Sequence, residues 1–104
     1  MATTTITFGS LMTVVNGIQN PLMDASTFVS ETITPSASNQ QTTQVAPAAN
    51  VCIARVATDS AIYVNFGTNP NALTSTAARA MVPAGGVDYF FVSAGQKAAV
   101  VNAP

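Results

Sequence analysis

The residues able to do chemistry are few, and their types narrow what chemistry is open. The chain has four carboxylates (Asp24, Glu31, Asp59, Asp88), three cations (Arg55, Arg79, Lys97), one thiol (Cys52) and no histidine. Without histidine the commonest general base and the commonest metal ligand are both missing, and Ser–His–Asp or Cys–His nucleophilic systems cannot form within one chain. The carboxylates lie far apart in sequence, so their spacing sets up no acid–base pair for glycoside hydrolysis. Asp59-Ser60 is too thin for calcium, which needs several converging oxygen ligands. Gly85-Gly86 is not followed by the Gly-Lys-Ser/Thr of a phosphate loop. Cys52 falls on the apolar side of its strand with no cation or helix N-terminus evident nearby, so it reads as a small core residue rather than a nucleophile. The expectation is a protein that is not an enzyme and takes no cofactor or metal.

Aromatic side chains are the other candidates. Tyr63, Tyr89, Phe90 and Phe91 could build a sugar-stacking platform, but the chain has no tryptophan. The alternation along 87–92 is read with Tyr89 and Phe91 inward, which favours core packing for both. Phe90 then points away from the core beside Ala99 and becomes a candidate subunit contact. Tyr63 is a candidate interface residue with Phe90, and a glycan contact would use Tyr63 or Phe90 with Asn and Thr side chains.

Composition says what kind of surface surrounds these residues. Charged residues make up 7% of the chain, against about 25% in an ordinary globular protein. Val, Ile and Thr supply 31 residues while Leu, Lys and Glu supply five, a balance that favours pleated sheet over helix. Ser, Thr, Asn and Gln cover the exterior in place of charge. A nearly neutral polar exterior promotes association, as suits an assembly subunit. The net charge of −1 argues against nucleic acid, whose phosphates call for clustered Lys and Arg. No apolar run approaches the roughly 20 residues that span a bilayer, and the segment MATTTITFGSLM has no basic n-region. A soluble protein made in a cytoplasm, with no membrane partner, is expected.

The elements that must position these residues are strands. Thr4, Ile6 and Phe8 alternate with Thr3, Thr5 and Thr7, one face apolar. A hairpin about Asn16-Gly17, pairing 11–15 with 18–22, is weakened by Pro21. Residues 27–33 read as a further strand. From 34 to 50 the chain carries no charge and no aromatic, and Val45 is its sizeable apolar side chain. Two readings stand for this stretch: a flexible linker, or an extended segment that orders against a neighbouring subunit. In the second, Val45 and Pro47 are contact candidates. The remainder reads as five antiparallel strands at 51–57, 61–66, 79–82, 87–92 and 97–101, joined by turns.

Folding 51–66 back on Thr58-Asp59-Ser60 sets Val56 opposite Ile62, Ala54 opposite Val64 and Cys52 opposite Phe66. A second hairpin about 83–86 sets Val82 opposite Val87 and Ala80 opposite Tyr89. A third about Ala94-Gly95 sets Phe91 opposite Ala98 and Tyr89 opposite Val100. Ala80, Val82, Val87, Tyr89, Phe91, Ala98 and Val100 then share one face, with an exposed Arg79–Asp88 ion pair on the other. The fold class expected is all-β: a small antiparallel sandwich or barrel, jelly-roll-like, with an extended and partly irregular region 1–50 preceding a core at 51–104 in a single domain.

The run ARVATDSAIYVNFGTNPNA followed by MVPAGGVDYFFVSAGQKAAVV resembles a pattern in small structural proteins of tailed bacteriophages. Its parts are a Tyr-Val-x-Phe-Gly strand end (Tyr63 to Gly67), the Asn69-Pro70 loop, Pro83-Ala84-Gly85 before an aromatic strand, and the Gly95-Gln96-Lys97 turn. The resemblance covers residues 51–101. It implies a β-rich, enzymatically inert virion protein of the capsid decoration (cement) kind. Such a protein binds the major capsid protein on the capsid surface and associates with itself, with a trimer the leading form. Location at the head–tail junction or on the tail is an alternative, and a glycan-binding β-sandwich module is the rival from another class.

Overall fold

The computed structural model describes residues 2–11, 23–49, 51–73 and 78–103. The expected hairpin about Asn16-Gly17 lies outside them. Eight strands follow in order: β1 (Thr4–Leu11), β2 (Met23–Ile33), β3 (Gln40–Gln41), β4 (Cys52–Thr58), β5 (Ile62–Gly67), β6 (Ala80–Val82), β7 (Val87–Val92) and β8 (Lys97–Asn102). They form two four-stranded antiparallel sheets, β2-β1-β4-β7 and β3-β8-β5-β6. The pairs β5–β6, β4–β7 and β3–β8 nest one outside the next, which is jelly-roll connectivity, and β1–β2 completes the first sheet.

Alternation within each strand delivers side chains to the space between the sheets. From the first sheet come Ile6, Phe8, Cys52, Ala54 and Val56; from the second come Ile62, Val64, Val82, Ala98 and Val100, all buried. β1 pairs with β2 on one side and β4 on the other, so the alternation of Thr4, Ile6 and Phe8 fills the middle of the core. Thr4 is as buried as its apolar neighbours, and its hydroxyl is satisfied at 2.9 Å by Thr58 Oγ1 across the ladder.

The three expected hairpins are not hairpins. β4 bonds β1 and β7 while β5 bonds β6 and β8; β6 and β7 lie in different sheets, as do β7 and β8. Each turn carries the chain from one sheet to the other. Two of those turns share a mechanism. Gly86 N donates to Pro83 O and Gln96 N to Ser93 O, with Gly85 at φ 74° and Gly95 at φ 80° in the third position. This is the type II arrangement, whose twist splays flanking strands instead of pairing them.

The change of partner inverts β7. Its partners across the ladder are Arg55 for Tyr89, Ile53 for Phe91 and Ala54 for Phe90. Ala54 faces the core, so Phe90 does too, and Phe90 meets Phe66 with ring centroids 5.1 Å apart. Tyr89 and Phe91, expected inward, are instead 60% and 78% exposed, and Val87 is exposed beside them. Ala80, Val82, Ala98 and Val100 do turn to the core as expected, through pairing with β5 rather than β7. The Arg79–Asp88 ion pair does not form, because Arg79 precedes β6 whereas Asp88 lies within β7, in the opposite sheet. Arg79 lies over the Tyr63 ring at 3.7 Å and donates to the carbonyls of Ala72 and Leu73.

The flexible-linker reading of residues 34–50 does not hold for the described residues 34–49, which pack on their own chain. β3 pairs with β8 at Gln40–Val100 and Gln41–Ala99. Thr42 N donates to Ala98 O, Ala46 N to Gln96 O, and Gly95 N to Ala46 O. Glu31 fastens the strap to β2: its Oε1 accepts from Thr43 N at 2.8 Å, Thr43 Oγ1 at 2.9 Å and Gln44 N at 3.0 Å. Partial burial raises the carboxyl's pKa, but the three donors outweigh it and hold the group below the ordinary glutamate value. A depressed folded-state pKa contributes stability that is complete above the unfolded value, near pH 4.3, and is lost as pH falls through the folded one. Denaturant midpoints measured from about pH 6 downwards should therefore fall on acidification, and Glu31→Gln should flatten that slope.

Candidate functional site

The two sheets have unlike outer faces, and the difference comes from the loop between β5 and β6. Asn39 Nδ2 and Gln41 Nε2 donate to Pro70 O, Gln41 Nε2 also to Asn69 Oδ1, Ala72 N to Asn39 Oδ1, and Asn65 Nδ2 to Asn71 O. These bonds fold the loop back over the second sheet. Ala99 and Val101 lie on the outer side of β8 and are nevertheless buried, together with Ala72 and against Tyr63. Over β8 that sheet is covered on its outer side by its own chain, whereas Met81 on β6 is 53% exposed.

Among the described residues the first sheet's outer face is exposed along β7 and β2 and half-buried along much of β1 and β4, with Ile53 only 7% exposed. Its cross-strand rows run Thr32, Thr5, Ala57, Val87 and Ser30, Thr7, Arg55, Tyr89, and Ile53 leads to Phe91 in the next. Phe28, adjacent on β2 to the inward Val29, is 47% exposed on the same side. Threonine and serine hydroxyls pair across the middle, Thr5 with Thr32 and Thr7 with Ser30. The face is thus a band of paired hydroxyls bordered by aromatic rings, with Arg55 its one charge among the described residues. Such a surface binds by apolar contact and neutral hydrogen bonds, the chemistry of a protein interface.

The residues singled out from sequence are dispersed by the fold. Phe90 is committed to the core. Val45 is 38% exposed and Pro47 half-buried on the strap, either side of the buried Ala46. Tyr63 is half-buried on the other sheet, one ring face covered by Arg79. Beside it Leu73, Val101 and Ala103 help line a cleft of about 410 Å³. The aromatics that are exposed together, Tyr89 and Phe91, were placed inside by the hairpin register. Phe28 could have been noticed as the aromatic opposite in phase to Val29.

Cys52 is 1% exposed, and its Sγ lies 3.2 Å from Pro47 O and 3.5 Å from Ala49 O as donor. A thiol-specific disulfide reagent is expected to label the native chain at least about 100-fold more slowly than the chain in denaturant, because labelling needs an opening reaction. Among the described residues no group of three or more His, Cys, Asp or Glu converges to hold a metal ion. Comparison with protein-family models, curated proteins and solved structures finds no match to this chain.

Proposed function

We propose that this chain is a structural protein of a tailed-phage virion, a decoration (cement) protein that binds the assembled head and stabilises it. The observation that carries the reading is the outer face of β2-β1-β4-β7, with Tyr89 60% and Phe91 78% exposed on a regular strand. Rings held side by side in water are costly unless another surface covers them. The low charge and the phage-like pattern of residues 51–101 support the same reading. Action is mechanical: a protein that binds the assembled shell but not its separated subunits stabilises the shell by mass action. Its partners are the major capsid protein and further copies of itself. Its place is the capsid surface, after synthesis in the host cytoplasm. It has no catalytic role.

Stoichiometry separates this from a place at the head–tail junction or on the tail. Quantitative densitometry of purified virions should find on the order of hundreds of copies, one or more for each capsomer, whereas a closed ring at a junction would give about a dozen or fewer. The lower number would overturn decoration. A glycan-binding module has the cleft beside Tyr63 in its favour, although Arg79 already occupies one face of that ring. Glycan-array binding lost on Tyr63→Ala would establish it instead.

A further inference from the structure

We infer that the free edge of β7 is a self-pairing edge, joining two copies of the chain about a two-fold axis into one continuous sheet. Along an antiparallel ladder, successive residues turn their N–H and C=O groups alternately to one neighbour and the other. Thr58 N donates to Gly86 O, and Asp59 N to Thr3 O. Even-numbered residues of β4 therefore bond β7, and odd-numbered ones bond β1. Continued along the register, Asp88, Phe90 and Val92 spend their main-chain groups on β4. Those of Val87, Tyr89 and Phe91 point off the sheet, where among the described residues no strand pairs.

The other edges are managed. β3 and β6 are two and three residues long, and β2 carries Glu31 with the 43–44 strap fastened to it. β7 has six residues and no proline. Unspent main-chain donors and acceptors in a row are matched by another extended strand. A second β7 matches them in one register. With Tyr89 on the two-fold axis, Tyr89 faces Tyr89 of the second copy and Val87 faces Phe91 in both directions. All three outward residues then form hydrogen-bonded pairs, about six bonds in all. Their side chains lie on the outer face, so the rings of the two copies run into one apolar band.

Charge permits this pairing. The only charge on β7, Asp88, lies on the opposite face and meets Phe90 of the second copy, not another carboxylate. The two Arg55 residues stand three strand spacings apart, about 14 Å between their main chains, beyond the screening length of about 8–10 Å at physiological salt. The closed pair is two-fold, in place of the threefold association that the resemblance implies. It uses the edge and leaves the outer face open, so it stands whether or not that face binds a capsid.

The test is the mass of the full chain by light scattering across a dilution series, with circular dichroism to monitor folding. Twice the 10.6 kDa of one chain is expected. Tyr89→Lys puts two ammonium groups on residues about 5.5 Å apart across the axis. It should weaken association about a hundredfold or more, and Tyr89→Asp should do the same. Mixing the two variants should restore the dimer. Phe91→Lys, at a still more exposed position, should also weaken it. A wild-type chain that stays at single-chain mass at about 100 µM, or a dimer that tolerates all these variants, overturns the inference while leaving head binding untouched. Dimers that never attach to heads overturn head binding and leave the inference intact.

Discussion

Replacing Phe8 with alanine is expected to lower the unfolding free energy by about 3–5 kcal/mol, the largest single-residue effect among the described residues. Phe8 is the largest of the fully buried side chains among the described residues and lies on β1, between β2 and β4. Around it are packed residues of both sheets, so no one neighbour can move in to fill the void. Domains of this size are stable by about 5–15 kcal/mol, so the loss is about a fifth or more of the total. Urea titration should show the midpoint fall with little change in slope. A change under 1 kcal/mol would mean that β1 does not occupy the centre of the sheet. The same placement bears on truncation. Deleting residues 1–48 removes β1, β2 and β3 together, so contact surfaces are better probed by point substitutions than by deletion.

Phe90 and Phe91 should differ sharply although they are adjacent and chemically identical. Phe90→Ala removes a ring that packs on the core and on Phe66, 5.1 Å away, and should cost about 2–3 kcal/mol as a partly buried aromatic. Phe91→Ala removes a ring that is 78% exposed and should stay within about 0.5 kcal/mol. Thermal melts of the two variants side by side decide the phase of β7. If Phe91→Ala is the more damaging, the strand faces the other way and the outer face described above does not exist.

That phase is where sequence reasoning failed, for a definite reason. For β4 and β5 the hairpin and the actual arrangement put the same residues inside: Cys52, Ala54, Val56, Ile62 and Val64 face the core whether the strands pair or pack across it. Alternation therefore revealed the core without revealing the partners. In 87–92 all positions but Asp88 are apolar or aromatic, so the pattern has no clear phase of its own. Pairing with β4 rather than β6 sets it, and the partner of Phe90, Ala54, is 36 residues away in sequence. The strap at 34–49 was illegible for a related reason. Its hold on the fold comes from main-chain bonds to β8 and three donors to Glu31, while its small side chains carry almost no hydrophobic signal. The all-β class, the turns at 83–86 and 93–96 and the burial of Cys52 were all legible locally, because glycine conformation and strand alternation are local properties.

The measurement that bears most directly on function is attachment of a Phe28→Asp variant to heads stripped of the wild-type protein. Phe28 is on the outer face at the edge away from β7, so this variant leaves both the core and the self-pairing edge alone. Co-sedimentation with wild type as reference should show attachment weakened about tenfold or more, with melting temperature and solution mass unchanged. Equal attachment of variant and wild type would contradict the account.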